Sequence, residues 1–312
     1  MLNERCGGAK MRLDLHVHLA AEPPAGELSP RFRRSLAFRL LRRMAAPGAA
    51  PTEAYRQRLL EAVAGSRLLD AVVLLAFDRP YSEAGLALPA DLFVSNAAAA
   101  AICRESPRLR LGASVHPYRP DALEALDEAV GLGAVLLKWL PNAQGVDPAS
   151  GLCRRFYARL RELSLPLLSH TGREHVLPAS AQQLGDIRRL EPALEAGVTV
   201  IAAHAGTGGG ARLTEIVELA GRYPNLFLEC SAMWTPSRFG AMRKLLGVES
   251  LRDRWVYGSD YPVPVFWPLL WGRRNVGRAR QEGNPLDQRA AAAGLLGIPE
   301  AAFDRGASLC RL

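Results

Sequence analysis

The stretch "MRLDLHVHLA", residues 11–20, places two of the chain's six histidines one residue apart in a short apolar run. Successive side chains of a strand point to opposite faces. A strand here is therefore expected to set Asp14, His16 and His18 on one face and Leu13, Leu15 and Val17 on the other. Two imidazoles and a carboxylate on one face are a surface built to hold something.

Seven further apolar runs follow: "DAVVLLAF" (70–77), "LRLGASVH" (109–116), "GAVLLKWL" (133–140), "LPLLSH" (165–170), "VTVIAAH" (198–204), "NLFLEC" (225–230) and "RWVYGSD" (254–260). Between them, "RPDALEALDEAV", "GLCRRFYARLREL", "AQQLGDIRRLEPALEA" and "ARLTEIVELAGRY" carry apolar residues at helical spacing. "TPSRFGAMRKLLG" predicts a helix with Thr235 as N-cap and Pro236 in its first turn. Strand then helix, eight times, predicts an α/β fold: a single (β/α)8 TIM-like barrel over residues 1–312, with a helical insertion at about 27–65 after the first strand. A length of 312 residues with 49% hydrophobic and 22% charged residues suits that architecture.

The net charge of +8 is scattered along the chain, which argues against a nucleic-acid site. Five well-separated cysteines (6, 103, 153, 230 and 310) form no CxxC pair. That pattern fits a reducing compartment. The N-terminus lacks a secretory apolar core, and no uncharged apolar run reaches the roughly 20 residues that cross a bilayer. A cytoplasmic protein without membrane or nucleic-acid partners is expected.

The polar residues fall at the C-terminal ends of the predicted strands: His16 and His18 on the first, His116 on the third, Lys138 on the fourth, His170 on the fifth, His204 on the sixth and Asp260 on the eighth. Barrels of this kind build active sites on that face. Imidazole and carboxylate donors without thiols suit a catalytic divalent cation, zinc above all. His16, His18, His170 and Asp260 would leave a position open for water or substrate. Asp260 is then the candidate base for a metal-activated water.

"DLHVH", "LLKWLP", "LPLLSHTG", "IAAHAG" and "VYGSDYP", in that order, resemble the amidohydrolase superfamily, in particular its branch containing aminocarboxymuconate-semialdehyde decarboxylase and related metal-dependent hydrolases. The resemblance implies a barrel with His16, His18, His170 and Asp260 around a divalent metal, and His204 as a further ligand or an acid/base group. It also implies two possible states for Lys138. Carboxylated, it bridges two metals, with His170 and His204 on the second; unmodified, it leaves one metal and frees His204 for proton transfer. One metal is the reading adopted. The expected function is a metal-dependent hydrolase of a small ester, lactone or amide, with a non-oxidative decarboxylase and a non-catalytic binding barrel as alternatives.

Arg173 and His175, in "HTGREHV", are candidates for a substrate carboxylate, and His116 and Trp139 are further substrate-binding candidates. Phe266, Trp267 and Trp271 are expected to form an apolar pocket wall. Asp14 is a candidate to orient a metal-binding histidine. "HAGTGGGARL" lacks the lysine of a phosphate loop and is read as mobile backbone near the site. "SPRFRRSLAFRLLRRM" (29–44) predicts a helix capped by Ser29 and started by Pro30, with Phe32, Leu36, Leu40 and Met44 as an apolar stripe. It is expected to be a lid or a homo-oligomer contact.

Overall fold

The computed structural model describes residues 10–20, 26–45, 51–179 and 181–312. Its strands are β1 (Leu13–His18), β2 (Gly26–Leu28), β3 (Ala71–Leu75), β4 (Leu92–Val94), β5 (Leu109–Ala113), β6 (Ala134–Trp139), β7 (Leu167–His170), β8 (Val200–Ala203), β9 (Leu226–Glu229) and β10 (Trp255–Val256). Eight pair in parallel in the order β1-β3-β5-β6-β7-β8-β9-β10. These are the eight predicted runs. The sheet curls until its edges meet: the Leu15 N–H donates to the Tyr257 carbonyl at 3.2 Å, and the His18 N–H to the Tyr261 carbonyl at 2.8 Å. Closure leaves no unpaired edge on these strands.

Alternation divides the strand residues into two clusters. Leu13, Leu15, Val73, Leu75, Leu136, Leu168, Ile201 and Val256 form a separate inner cluster, joined by Ala307 of the C-terminal helix Ala301–Leu309 and by Cys310 just after it. The alternate residues, such as Val72, Leu74, Leu137, Trp139 and Val200, pack with helix residues such as Phe156 and Leu160.

In β1 the alternation is interrupted. Asp14 pairs with Val72 and Val17 with Leu74, so two residues, Leu15 and His16, stand against the single Val73. This bulge shifts the phase. Leu13 and Leu15 lie in the inner cluster and Val17 in the outer one, rather than all three on one face. A bulge re-aims side chains in this way beside many functional sites.

The insertion after β1 begins with β2, paired antiparallel to β4, a small sheet outside the predicted set. Ser29 caps the next helix, Pro30–Arg34, by accepting the Phe32 N–H. The helix stops at Ser35, which is extended (φ −63°, ψ 148°), and a second helix covers Leu36–Ala45. The break changes the helical phase. Phe38 joins Phe32, with ring centroids 5.0 Å apart, while Leu36 and Leu40 are 70% and 50% exposed. The predicted stripe is thus split in two; the Met44 side chain lies outside the described residues. A third helix, Pro51–Gly65, completes the insertion.

Two other helices differ from expectation. "AQQLGDIRRLEPALEA" forms two short 3-10 turns, 182–185 and 187–190, before a helix at Glu191–Glu195. Asp186 caps the second turn through the Arg188 N–H and so ends the first. The helix predicted from Pro236 begins at Phe239, because the Thr235 hydroxyl donates to the Ala232 carbonyl instead of capping a helix. Among the described residues no helix is long and apolar enough to cross a membrane.

Candidate active site

Bulge and barrel closure bring the first and last strands together. His16 Nε2 lies 3.1 Å from His18 Nε2, and Asp260 Oδ1 lies 3.0 Å from His18 Nε2 and 3.5 Å from His16 Nε2. Among the described residues these three form the group able to hold a metal ion, with donor atoms all within 4.8 Å of one another.

The hydrogen-bond network fixes which imidazole nitrogens are bare. The Ser231 hydroxyl donates to Glu229 Oε2 at 2.7 Å, and His16 Nδ1 faces both that carboxylate and the Ser231 oxygen at 3.3 Å. His16 therefore carries its proton on Nδ1 and presents a lone pair at Nε2. His204 Nδ1 faces the Ser231 carbonyl at 3.2 Å and its hydroxyl at 2.8 Å, so it too is an Nδ1–H tautomer. Its bare Nε2 accepts from His170 Nδ1 at 3.2 Å. His170 Nε2, also buried, has no partner within hydrogen-bond distance and faces Glu174 Oε2 at 3.6 Å. Converging lone pairs and an orphaned imidazole nitrogen are what a divalent cation would satisfy. The donor set fits.

Glu229, at the end of β9, accepts from His16, from both donors of Ser231 and from the His204 N–H. Four donors assign it as a carboxylate, although burial pushes it up to about 7. A cation on the far side of His16 would favour the charged form. Burial alone would raise Asp260, yet His16, His18 and Lys138 hold it down at about 2. Lys138, from the inner face of β6, places Nζ 3.1 Å from His16 Nε2, and burial lowers it to about 8. Burial also drives His16, His170 and His204 well below the usual imidazole range, so all three are neutral donors. His204 and Asp260 both have left-handed backbones, with φ of 62° and 57°, a strained state for non-glycine residues that clusters at functional sites.

A cavity of about 350 Å³ opens onto this group, touched by His18, His170, His204 and Asp260. Arg173 and His175 line it from exposed positions. Glu174 and Arg238, both buried, line it as well. Arg238 donates to the carbonyls of Thr171, Thr207 and Arg173, tying together the loops after β7 and β8.

Other expected residues lie elsewhere. Trp139 is on the outer face of β6, against Phe156 and Tyr157, with its indole N–H on the Val115 carbonyl. His116 is buried, donating from Nε2 to the Gln144 carbonyl and accepting the Tyr118 N–H at Nδ1. Trp267 lines a separate cleft with Arg58, Tyr261 and Arg289, while Phe266 and Trp271 are exposed and stand outside the cavity wall. Asp14 accepts the backbone N–H groups of His16 and Ser259, so it holds the β1 and β10 backbones rather than an imidazole ring.

Glu229, Ser231, Glu174 and Arg238 were not singled out from the sequence. Glu229 had a signal: a lone carboxylate ends the otherwise apolar run "NLFLE".

A family model described as amidohydrolase matches residues 13–294. No curated protein matches the sequence. Similar solved structures include an uncharacterised TIM-barrel protein of Bordetella bronchiseptica, with a TM-score of 0.63, 16% identity and coverage of 96% of this chain and 99% of that one. A protein assigned as a 2-pyrone-4,6-dicarboxylic acid hydrolase of Pseudomonas putida gives a TM-score of 0.56, 18% identity and coverage of 97% and 98%. A 5-carboxyvanillate decarboxylase of Novosphingobium aromaticivorans, complexed with manganese, gives 0.52, 13% and coverage of 97% of each chain. At these identities the likeness is one of fold.

Proposed function

The chain belongs to the amidohydrolase family, and from that premise we propose that it is a metal-dependent hydrolase cleaving a small ester, lactone or amide. The observation that carries the reading is the trio of His16, His18 and Asp260, with Asp260 held as a carboxylate beside two imidazole nitrogens. A divalent cation, zinc in this reading, would be held by these residues with His170; bound there it polarises a carbonyl and acidifies water. Asp260 accepts a proton as the water oxygen bonds to the carbonyl carbon, then delivers it to the leaving oxygen or nitrogen as the old bond breaks. Glu229 and Ser231 keep the proton of His16 on Nδ1. His204, hydrogen-bonded to His170 through Nε2 and to Ser231 through Nδ1, holds the His170 ring in place. Arg173 and His175, at the rim, are positioned for an anionic substituent.

One metal is the reading adopted, with His170 and His204 in contact through Nδ1 and Nε2. Lys138 is then a free amine.

The test is hydrolysis of an ester and lactone panel by zinc-loaded protein in 18O-water. Label in the product acid, abolished by chelation, is expected. Release of carbon dioxide from aromatic carboxylic acids, with no ester or lactone cleaved, would make the site a decarboxylase.

A further inference from the structure

The cavity touched by His18, His170, His204 and Asp260 is lined as well by aromatic rings. Phe32 and Phe38 come from the insertion, Tyr55 from its third helix and Phe77 from the end of the β3 segment. The break at Ser35 is what turns both phenylalanines inward, at the expense of leaving Leu36 and Leu40 in solvent. Tyr55 is fixed by its hydroxyl, which donates to the His18 carbonyl, and by stacking on Tyr261 at 5.9 Å between centroids. A wall of fixed aromatic rings around about 350 Å³ selects for shape and apolar area.

We propose that the substrate carries an apolar ring, and that Phe32 and Phe38 of the insertion hold this ring while the cleavable carbonyl reaches the His18–Asp260 end. This rests on the hydrolase reading for the chemistry, but the ring site stands on the wall alone. Phe38 is the better residue to test, because Phe32 is buried beneath it and its loss risks the fold.

Methyl phenylacetate and methyl propionate differ in the ring but share the leaving group, so the ratio of variant to wild-type kcat/KM for each cancels intrinsic reactivity. Phe38→Ala should lower kcat/KM for methyl phenylacetate at least about tenfold more than for methyl propionate, with Phe38→Leu between the two. Calorimetry with 2-phenylethanol, which has no bond to hydrolyse, should show binding weakened at least about tenfold in Phe38→Ala but retained in His16→Ala, which removes no wall of the cavity. Equal losses on both esters, or 2-phenylethanol binding that ignores both Phe38 variants, would overturn the proposal. If the wild type cleaves neither ester yet binds 2-phenylethanol through Phe38, the ring site is upheld by binding alone, and the hydrolase reading is judged separately on the ester and lactone panel.

Discussion

Gly258 lies against Glu229 so closely that a Cβ on the glycine would run into Glu229 Oε1 and stand 2.8 Å from the Cβ of His16. Neither neighbour has room to retreat, since both are fully buried. The glycine of "YGSD" thus makes space for the carboxylate that sets the His16 tautomer. Gly258→Ala should displace Glu229, and both it and Glu229→Gln should weaken metal binding by about 10- to 100-fold. Zinc titration against a competing chelator reads this directly. Wild-type affinity in both variants would show that the His16 tautomer does not depend on Glu229.

Protein purified without added metal should carry a divalent ion, and His16→Ala or His18→Ala should strip it. Each change deletes one neutral nitrogen from a small donor set. Elemental analysis of the two variants beside the wild type is the measurement. Full occupancy in both would remove the metal assignment.

Asp260→Asn should lower turnover on the order of 10²-fold or more at saturating metal, because an amide cannot accept the proton of the attacking water. The thermal midpoint should move only by a few degrees. The check is kinetics beside melting curves; wild-type turnover would mean that another group is the base.

The eight strands were legible because each is a short apolar run bounded by turn residues and followed by a helical pattern. His16, His18 and Asp260 were legible because each ends such a run. Strict alternation served less well inside β1. It grouped Asp14 with the histidines, whereas the bulge at Leu15–His16 lets His16 turn inward beside Leu15. No local pattern announces a bulge, since what stabilises this one is pairing with β3 and β10 from distant parts of the chain. Applied to β6, the same rule should have excluded Trp139, for Lys138 and Trp139 are consecutive and only one can face the barrel interior. Glu229 was hidden for another reason: its partner His16 is 213 positions away, and only barrel closure brings them together. The apolar wall was anticipated but placed on the wrong loop. The break at Ser35, which swings Phe38 toward the cavity, has a local device: the Ser35 hydroxyl starts the second helix by accepting the Phe38 N–H at 3.1 Å.

His116 gives a pH prediction away from the metal group. Burial lowers it from 6.5 to about 4. Between those values the unfolded chain takes up a proton that the folded chain resists, so its contribution is intact above pH 6.5 and is lost as the pH falls toward 4. The loss amounts to about 3 kcal/mol at most. His116→Asn keeps an acceptor for the Tyr118 N–H but cannot be protonated. Urea unfolding from pH 7 to pH 4 should therefore show a shallower decline in the variant than in the wild type. Parallel curves would mean that His116 takes up its proton equally readily in the folded and unfolded chain.

The number of metals decides the roles of Lys138 and His204 together. If Lys138 is carboxylated, its carbamate lies between two cations, and His170 and His204 both serve the second. If it is a free amine, one cation suffices. His204 then remains hydrogen-bonded to His170 Nδ1 and to Ser231, outside the trio of His16, His18 and Asp260. The neutral form favoured by burial of Lys138 is compatible with either state. We expect one metal per chain, and His204→Asn should keep it while losing activity on the order of 10²-fold. Elemental analysis gives the stoichiometry, and intact-protein mass under native conditions tests for carbon dioxide on Lys138. Two metals per chain with a carbamate would make the site binuclear, and loss of the single metal in His204→Asn would put His204 among the ligands of a mononuclear site.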